Sequence, residues 1–361
     1  MTHRVLFLAG VSALGLATLA LPTFAAAGVC AKAPVVMPSG PEGGGPPRIV
    51  TAASVAASST ASSTVIRPDA GQQISCGKVA LEAVNDVIYA QVPGGRALKL
   101  DILRPKAASG PLPLVVFVTG GGFVADPKQS ELNLRTYLAE QGFVVASIEY
   151  RTFPDHATYR DGVADVKSAV RFLRARAGAY GVDPARVGLW GESAGGYLVS
   201  MAGLTSKSDT FASDVEPSRS SAVGAVVDAF GAADVSKLAQ DFDPGAKAAY
   251  AHPMPTNLYV GGLTPNGELA DPASNPLKYV SASAPPFLLL HGSDDRIVSP
   301  SQTLALHDAL RAAGAKSTRY VLEGANHGDL GFLGDEKASL PWSSVQTMDL
   351  IVGFFHDTLG R

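Results

Sequence analysis

The run Trp190-Gly191-Glu192-Ser193-Ala194-Gly195-Gly196-Tyr197 places a serine in a Gly-x-Ser-x-Gly setting. It follows an apolar stretch over 186–190 that predicts a strand, and it opens a stretch over 194–204 that predicts a helix. A serine on such a strand-to-helix bend is held out with its hydroxyl exposed, and flanking glycines leave room where the two backbones approach. The chemistry this presents is nucleophilic attack by Ser193. The pentapeptide alone carries little weight in a chain with 38 glycines among 361 residues. Its weight depends on a base, an acid and oxyanion donors following in the right order.

His327 is the candidate base. It stands in Gly324-Ala325-Asn326-His327-Gly328, directly after a predicted strand over 318–322, where a glycine-flanked loop can turn the ring toward a neighbouring loop. Among the other histidines, His3 lies in the N-terminal leader, His307 and His356 lie on helix patterns, and His291 closes a strand. His156 and His252 lie in loops and are the rivals. The candidate acid is in His291-Gly292-Ser293-Asp294-Asp295-Arg296-Ile297-Val298, after a predicted strand over 287–290. Successive side chains of an extended loop point different ways, so one aspartate faces the site. The other suits the cap of a helix that starts near Pro300. Thr119-Gly120-Gly121-Gly122-Phe123 follows a predicted buried strand over 112–118. There the N–H groups of Gly121 and Gly122 can point inward unobstructed. With the N–H of Ala194, at the positive end of the nucleophile helix, they would receive a developing oxyanion.

These residues need elements to hold them. Strands are expected over 87–91, 97–103, 112–118, 143–148, 186–190, 222–228, 287–290 and 318–322. Helices are expected over 132–141, 164–180, 194–204, 301–313 and 347–359. Strands alternating with helices indicate a central, mostly parallel sheet of about eight strands covered on both faces. In such sheets the site lies at the carboxyl ends of the strands, where each candidate residue falls. Residues 234–283, rich in Pro, Asn, Asp and Gly, interrupt the alternation and read as a small cap-like insertion.

The N-terminal part differs in kind. Residues 1–27 read as a secretory signal: Arg4, an apolar stretch over 5–21, Pro22, and small residues around a cleavage site near Ala27. The apolar stretch is short for a bilayer span of about 20 residues, so a secreted or periplasmic protein is expected, without stable membrane insertion. Residues 28–78, Pro/Gly- then Ala/Ser/Thr-rich, read as an arm or linker that in part could pack along the domain. The catalytic domain is expected over 79–361. Cys30 and Cys76 are the two cysteines; they either pair across a long loop or remain as thiols in the arm. Net charge is −3, with no basic run interleaved with aromatics, so nucleic acid is not an expected partner.

The order Ser193, an aspartate at 294 or 295, then His327 is that of α/β-hydrolases. Residues from about 85 to 358 resemble α/β-hydrolase esterases of the hormone-sensitive-lipase-like and bacterial feruloyl-esterase-like group. The matching residues are Gly120-Gly121-Gly122, Glu149-Tyr150-Arg151, Asp183-Pro184-Ala185-Arg186-Val187, Gly191-Glu192-Ser193-Ala194-Gly195-Gly196, His291-Gly292-x-x-Asp295-x-x-Val298 and Gly324-x-x-His327-Gly328. The resemblance implies carboxylic ester hydrolysis with neither cofactor nor metal, and it places the acid at Asp295. One departure stands out. The family usually has histidine before the three glycines, whereas this chain has Thr119, which can replace that histidine's hydrogen bond only partly. Phe123, His156 and Tyr259 are the expected substrate-lining residues, for a small or polymer-linked ester. A peptidase of the prolyl-oligopeptidase kind shares the order of the triad, but fewer than ninety residues precede the domain, too few for a propeller. A binding protein on the same fold is the other alternative. Oligomeric state is not legible.

Overall fold

The computed structural model describes residues 50–360 apart from 57, 213–214, 251–254 and 329–339. The leader, Cys30 and His252 lie outside the described residues. Nine strands form one sheet: β1 (Thr64–Ile66), β2 (Leu81–Gln91), β3 (Ala97–Pro105), β4 (Leu112–Val118), β5 (Val144–Ile148), β6 (Val182–Glu192), β7 (Ala225–Ala229), β8 (Phe287–Gly292) and β9 (Ser317–Leu322). Their order is β1-β9-β8-β7-β6-β4-β5-β3-β2. β3 runs antiparallel to β2 and β5, and every other pair is parallel.

The apolar runs follow from burial on both faces. Along β4, Leu114, Val116 and Val118 enter one hydrophobic cluster, while Val115 and Phe117 enter the other. On the first face pack α2 (Tyr159–Ala175), α4 (Ala194–Leu204) and α7 (Ser301–Ala312), through Val166, Val170, Leu173, Leu198, Leu306 and Leu310. On the second pack α1 (Leu132–Glu140) and α8 (Val345–Leu359), through Leu134, Leu138, Met348, Ile351 and Phe355. α2 starts five residues earlier than its apolar spacing predicts. Asp161 draws the start forward by accepting from the N–H and hydroxyl of Thr158, a capping arrangement that hydrophobic periodicity does not register. The helix also ends early, at Ala175, and a short α3 (Ala177–Tyr180) follows.

Between β7 and β8 the chain forms short pieces, among them α5 (Pro244–Tyr250), α6 (Pro255–Tyr259) and the 3-10 turns Pro272–Ser274 and Pro276–Tyr279. The described part of the N-terminal stretch runs along the domain. Ala52 N–H donates to Arg296 O, Ala56 N–H to Asp241 O and Ile74 N–H to Ser343 O, and β1 extends the sheet beside β9. This stretch has too few large apolar side chains to order itself, so an unpaired sheet edge and exposed loop amides supply the order. Cys76 is disulfide-bonded.

Gly188 on β6 is where α8 closes on the strand that leads into Ser193. A Cβ there would stand 2.7 Å from Phe355 Cε1 and 3.1 Å from Leu359 Cδ1. Gly188→Ala is therefore expected to lower stability by about 1–3 kcal/mol through overpacking. Urea unfolding checks this; an unchanged midpoint would mean that α8 shifts without cost.

Candidate active site

Ser193 sits at the end of β6 with φ 53° and ψ −118°, a conformation that non-glycine residues hold only when the surroundings impose it. The imposition is visible. A Cβ on Gly195 would stand 2.0 Å from Val118 O, and one on Gly191 would stand 2.3 Å from Gly195 O. Ser193 N–H donates to Ala229 O at 3.0 Å. The bend thus packs its backbone directly on β4 and β7, and the side chain, though partly exposed, is fixed in direction.

His327 Nε2 lies 2.7 Å from Ser193 Oγ, and its Nδ1 lies 2.8 Å from Asp295 Oδ2. Asp295 Oδ1 accepts from the N–H groups of Ile297 at 2.9 Å and Val298 at 2.8 Å. An ionised carboxylate only accepts, so Nδ1 carries the proton and Nε2 is left to accept from the serine hydroxyl. Asp295 is fully buried. Burial alone would push its pKa up, but His327 and His291 outweigh that and hold the carboxyl well below the usual carboxylate range. The neighbouring Asp294 points to the surface and pairs with Arg296 at 3.0 Å. It does not cap the following helix; Asp241 accepts from Ser301 N–H there.

Several residues that hold His327 escaped the sequence. Phe230, left-handed at φ 46°, sets its ring edge-on to His327 with centroids 4.7 Å apart, and Trp342 backs Phe230 at 4.5 Å. Trp342 Nε1 donates to Asn326 O at 2.9 Å. Asn326 Oδ1 accepts from both Arg296 N–H and His327 N–H, which ties the loop of the base to the loop of the acid. An aromatic beside glycine after a strand was a faint signal for Phe230; Trp342, distant in sequence, gave none.

Beyond β4, Gly121 has φ 143° and Gly122 has φ 60°. A Cβ on Gly121 would stand 2.2 Å from Ala125 O, so only glycine allows this loop to fold back on itself. Among the described residues no backbone carbonyl accepts from the N–H of Gly121, Gly122 or Ala194. Thr119 Oγ1 is buried and likewise finds no partner. The hydrogen bond expected in part from Thr119 is therefore absent. Tyr150 holds the loop instead: its hydroxyl lies 3.2 Å from both Thr119 O and Ala125 O. Asp126 accepts from Tyr150 N–H at 3.0 Å and pairs with Arg96 at 2.7 Å.

Phe123 follows the glycines with φ 63° and is buried against Tyr259, the rings stacked at 4.6 Å. Tyr259 is also buried, its hydroxyl donating to Arg151 O at 2.9 Å. These two pack with each other rather than presenting open surface. His156 is exposed at the end of a 3-10 turn, and among the described residues no hydrogen bond, ion pair or ring contact joins it to Ser193 or His327. On α6, Thr256 Oγ1 reaches Gly122 O at 3.3 Å, so the insertion touches the glycine loop.

The sheet topology, with Ser193 held on a strand-to-helix elbow, defines the α/β-hydrolase fold. The chain belongs to the BD-FAE family, whose sequence profile matches residues 100–310. It is similar to esterase LipC of Mycobacterium tuberculosis, 31% identical over 245 residues, covering 67% of this chain and 59% of that protein. It is also similar to isoprenylcysteine alpha-carbonyl methylesterase ICME of Arabidopsis thaliana, 30% identical and covering 75% of this chain and 61% of that one. The chain thus spans somewhat under two thirds of the length of these curated relatives. A thermophilic esterase from Thermogutta terrifontis shares the fold with TM-score 0.61 and 25% identity, covering 76% of this chain and 92% of that one. That esterase has also been solved with propionate and with butyrate bound.

Asp228 at the end of β7 supports the elbow from behind. Its Oδ2 accepts from Ser200 Oγ on α4 at 2.7 Å and its Oδ1 from Gly231 N–H at 2.9 Å. Burial pushes its pKa up to about 6, against the lowering effect of those two bonds. A raised folded-state pKa stabilises the fold below the unfolded carboxylate pKa, and that contribution is lost as pH rises through the folded value. Asp228→Asn removes this loss. The variant's stability relative to wild type should therefore rise between about pH 4 and 7, by up to about 3 kcal/mol. Paired denaturation curves across that range check the slope; parallel curves would mean that Asp228 does not titrate there.

Proposed function

We propose that the chain is an exported serine carboxylic-ester hydrolase acting through Ser193, His327 and Asp295. The observation that carries this is the hydrogen-bonded line from Ser193 Oγ through both ring nitrogens of His327 to Asp295, set beside three N–H groups without backbone acceptors. As Ser193 Oγ bonds to the ester carbonyl carbon, its proton passes to His327 Nε2. Asp295 stabilises the imidazolium and keeps its orientation. The carbonyl oxygen, now anionic, lies against Gly121, Gly122 and Ala194 N–H, a type of contact whose removal typically costs about 3 kcal/mol of barrier per donor. The carbon–oxygen bond to the alcohol breaks, the alcohol leaves with the proton from His327, and an acyl-Ser193 remains. Water, deprotonated by His327, attacks the acyl carbon and releases the acid and free Ser193.

Short acyl groups are the proposed substrates, supported by the propionate and butyrate bound in the Thermogutta terrifontis esterase. The buried Phe123–Tyr259 stack beside the glycine loop supports the same reading, since it fills space near the acyl position. Export is supported by the leader pattern in residues 1–27 and by the disulfide at Cys76, a bond that persists in oxidising compartments. Among the described residues no helix is long and apolar enough to cross a membrane.

The purified protein should hydrolyse p-nitrophenyl acetate and butyrate faster than octanoate, and Ser193→Ala should lower kcat about 10⁴-fold or more. Wild type that is folded yet inert on all three esters, and unlabelled by a fluorophosphonate, would favour a binding protein. The base must be neutral to take the proton, so kcat/KM should fall on acidification. A profile with no acidic limb would exclude a histidine base.

A further inference from the structure

Asp295 Oδ2 is approached by two histidines. His327 Nδ1 is one, and His291 Nε2, 3.1 Å away, is the other. His291 lies at the end of β8, fully buried, and the reaction outlined above gives it no role. Resting on the esterase reading, we infer that His291 is a positioning residue for the base, locked by Arg319 and Thr303 into the one tautomer that supports Asp295.

The lock follows from donor counting. Arg319, 1% exposed, has only donors, and its Nε donates to Thr303 Oγ1 at 3.0 Å. Thr303 Oγ1 lies 2.9 Å from His291 Nδ1. His291 Nε2 faces two acceptors, Asp295 Oδ2 and Val298 O, each 3.1 Å away, so it carries the ring proton. In the neutral ring Nδ1 is then a bare acceptor, and the Thr303 hydroxyl donates to it at 2.9 Å in preference to Pro300 O at 3.4 Å, which takes an Arg319 N–H at 2.8 Å. The hydrogen bonds run one way, Arg319 to Thr303 to His291 to Asp295, and meet those running from Ser193 through His327 at the same oxygen.

His291 stays neutral in this arrangement. Burial lowers its pKa, and Arg319 adds to that, against the raising effect of Asp295 and Val298 O. The charged groups facing it are Asp295 on one side and Arg319 on the other; Asp308 and Asp241 act on Arg319. A neutral donor steadies the carboxylate without cancelling its charge, which remains available to the imidazolium of His327. Two further Arg319 bonds end on the N-terminal stretch, at Ser63 Oγ (2.9 Å) and Ser58 O (3.1 Å), so that stretch completes the lock.

The test uses the full chain with His291→Phe, Thr303→Val and Thr303→Ser, each checked for wild-type circular dichroism. If the inference holds, His291→Phe and Thr303→Val lower kcat about tenfold or more while KM stays within about twofold, on the scale of other outer-shell losses. In His291→Phe, Asp295 Oδ2 has one donor fewer and attracts the imidazolium more strongly, so the acidic limb of that variant's kcat/KM profile moves to higher pH. Thr303→Ser restores the hydroxyl and recovers most of the loss. Should His291→Phe fail to fold, the Thr303 pair decides. An unmoved limb overturns the inference, as does a kcat loss that serine does not rescue. Fluorophosphonate labelling of wild type separates the two readings. A labelled, active wild type with unaffected variants defeats the His291 role alone. A wild type that neither labels nor turns over esters defeats the esterase reading and the His291 role with it.

Discussion

A carboxylate taken wholly out of water must be surrounded by donors, because leaving it uncompensated costs several kcal/mol. Asp295 is such a group, and the loops around it are arranged by that demand. Two donors come from its own turn, the N–H groups of Ile297 and Val298, which fold the acid loop tightly back on itself. The others are the imidazoles of His327 and His291, so the loop after β9 and the end of β8 must both converge on it. Asn326 then fastens the two loops through one oxygen. The depressed pKa of Asp295 means that its contribution to stability is present above the unfolded carboxylate pKa and is lost only as pH falls through the folded value.

The carboxyl ends of the central strands concentrate backbone strain. Ser193, Phe230 and Phe123 all hold positive φ and follow β6, β7 and β4 respectively. Two of them extend the hydrogen-bond ladder past the strand ends: Ser193 N–H donates to Ala229 O, and Phe230 N–H to Leu290 O. Phe123 O in turn accepts from Phe153 N–H. Positive-φ conformations cost of order 1–3 kcal/mol each, and these backbone bonds help to offset that cost. The direction of Ser193, the support of His327 and the shape of the glycine loop are therefore linked across neighbouring strands.

Much of this was legible because it is local. Gly191 and Gly195 flank Ser193 for clearances that the structure measures, and the buried strands read as unbroken apolar runs because both faces of the sheet are covered. Chain order left Asp294 and Asp295 open, and the family resemblance favoured Asp295. What stayed hidden was non-local. β1 has no apolar pattern of its own and exists because β9 offers it an edge. Tyr150 supports the glycine loop from 31 residues away, where Thr119 in the usual place of histidine had pointed to a partly kept bond. Phe123 and Tyr259 were expected to line the site, yet their rings pair with each other, a choice that depends on where α6 lands.

The N-terminal stretch shows how a segment of small residues can become part of a site. Its side chains bury little, so hydrophobic burial cannot hold it. Its backbone, however, offers acceptors and donors wherever the domain leaves polar groups short. Arg319 needs acceptors because it is buried and, among the described residues, has no carboxylate in contact; Ser58 O and Ser63 Oγ supply two acceptors. Arg296, beside Asp295, accepts from Ala52 N–H and donates to Ala53 O, while Asp243 in the insertion accepts from Ala53 and Ser54 N–H. Tyr250 Oη lies near both Val50 O and Ile297 O. The stretch thus joins the insertion to the acid loop through backbone groups. Such bonds constrain where the chain runs far more than which residues it contains, which is why an Ala/Ser/Thr-rich sequence suffices there and why its composition alone read as a loose arm.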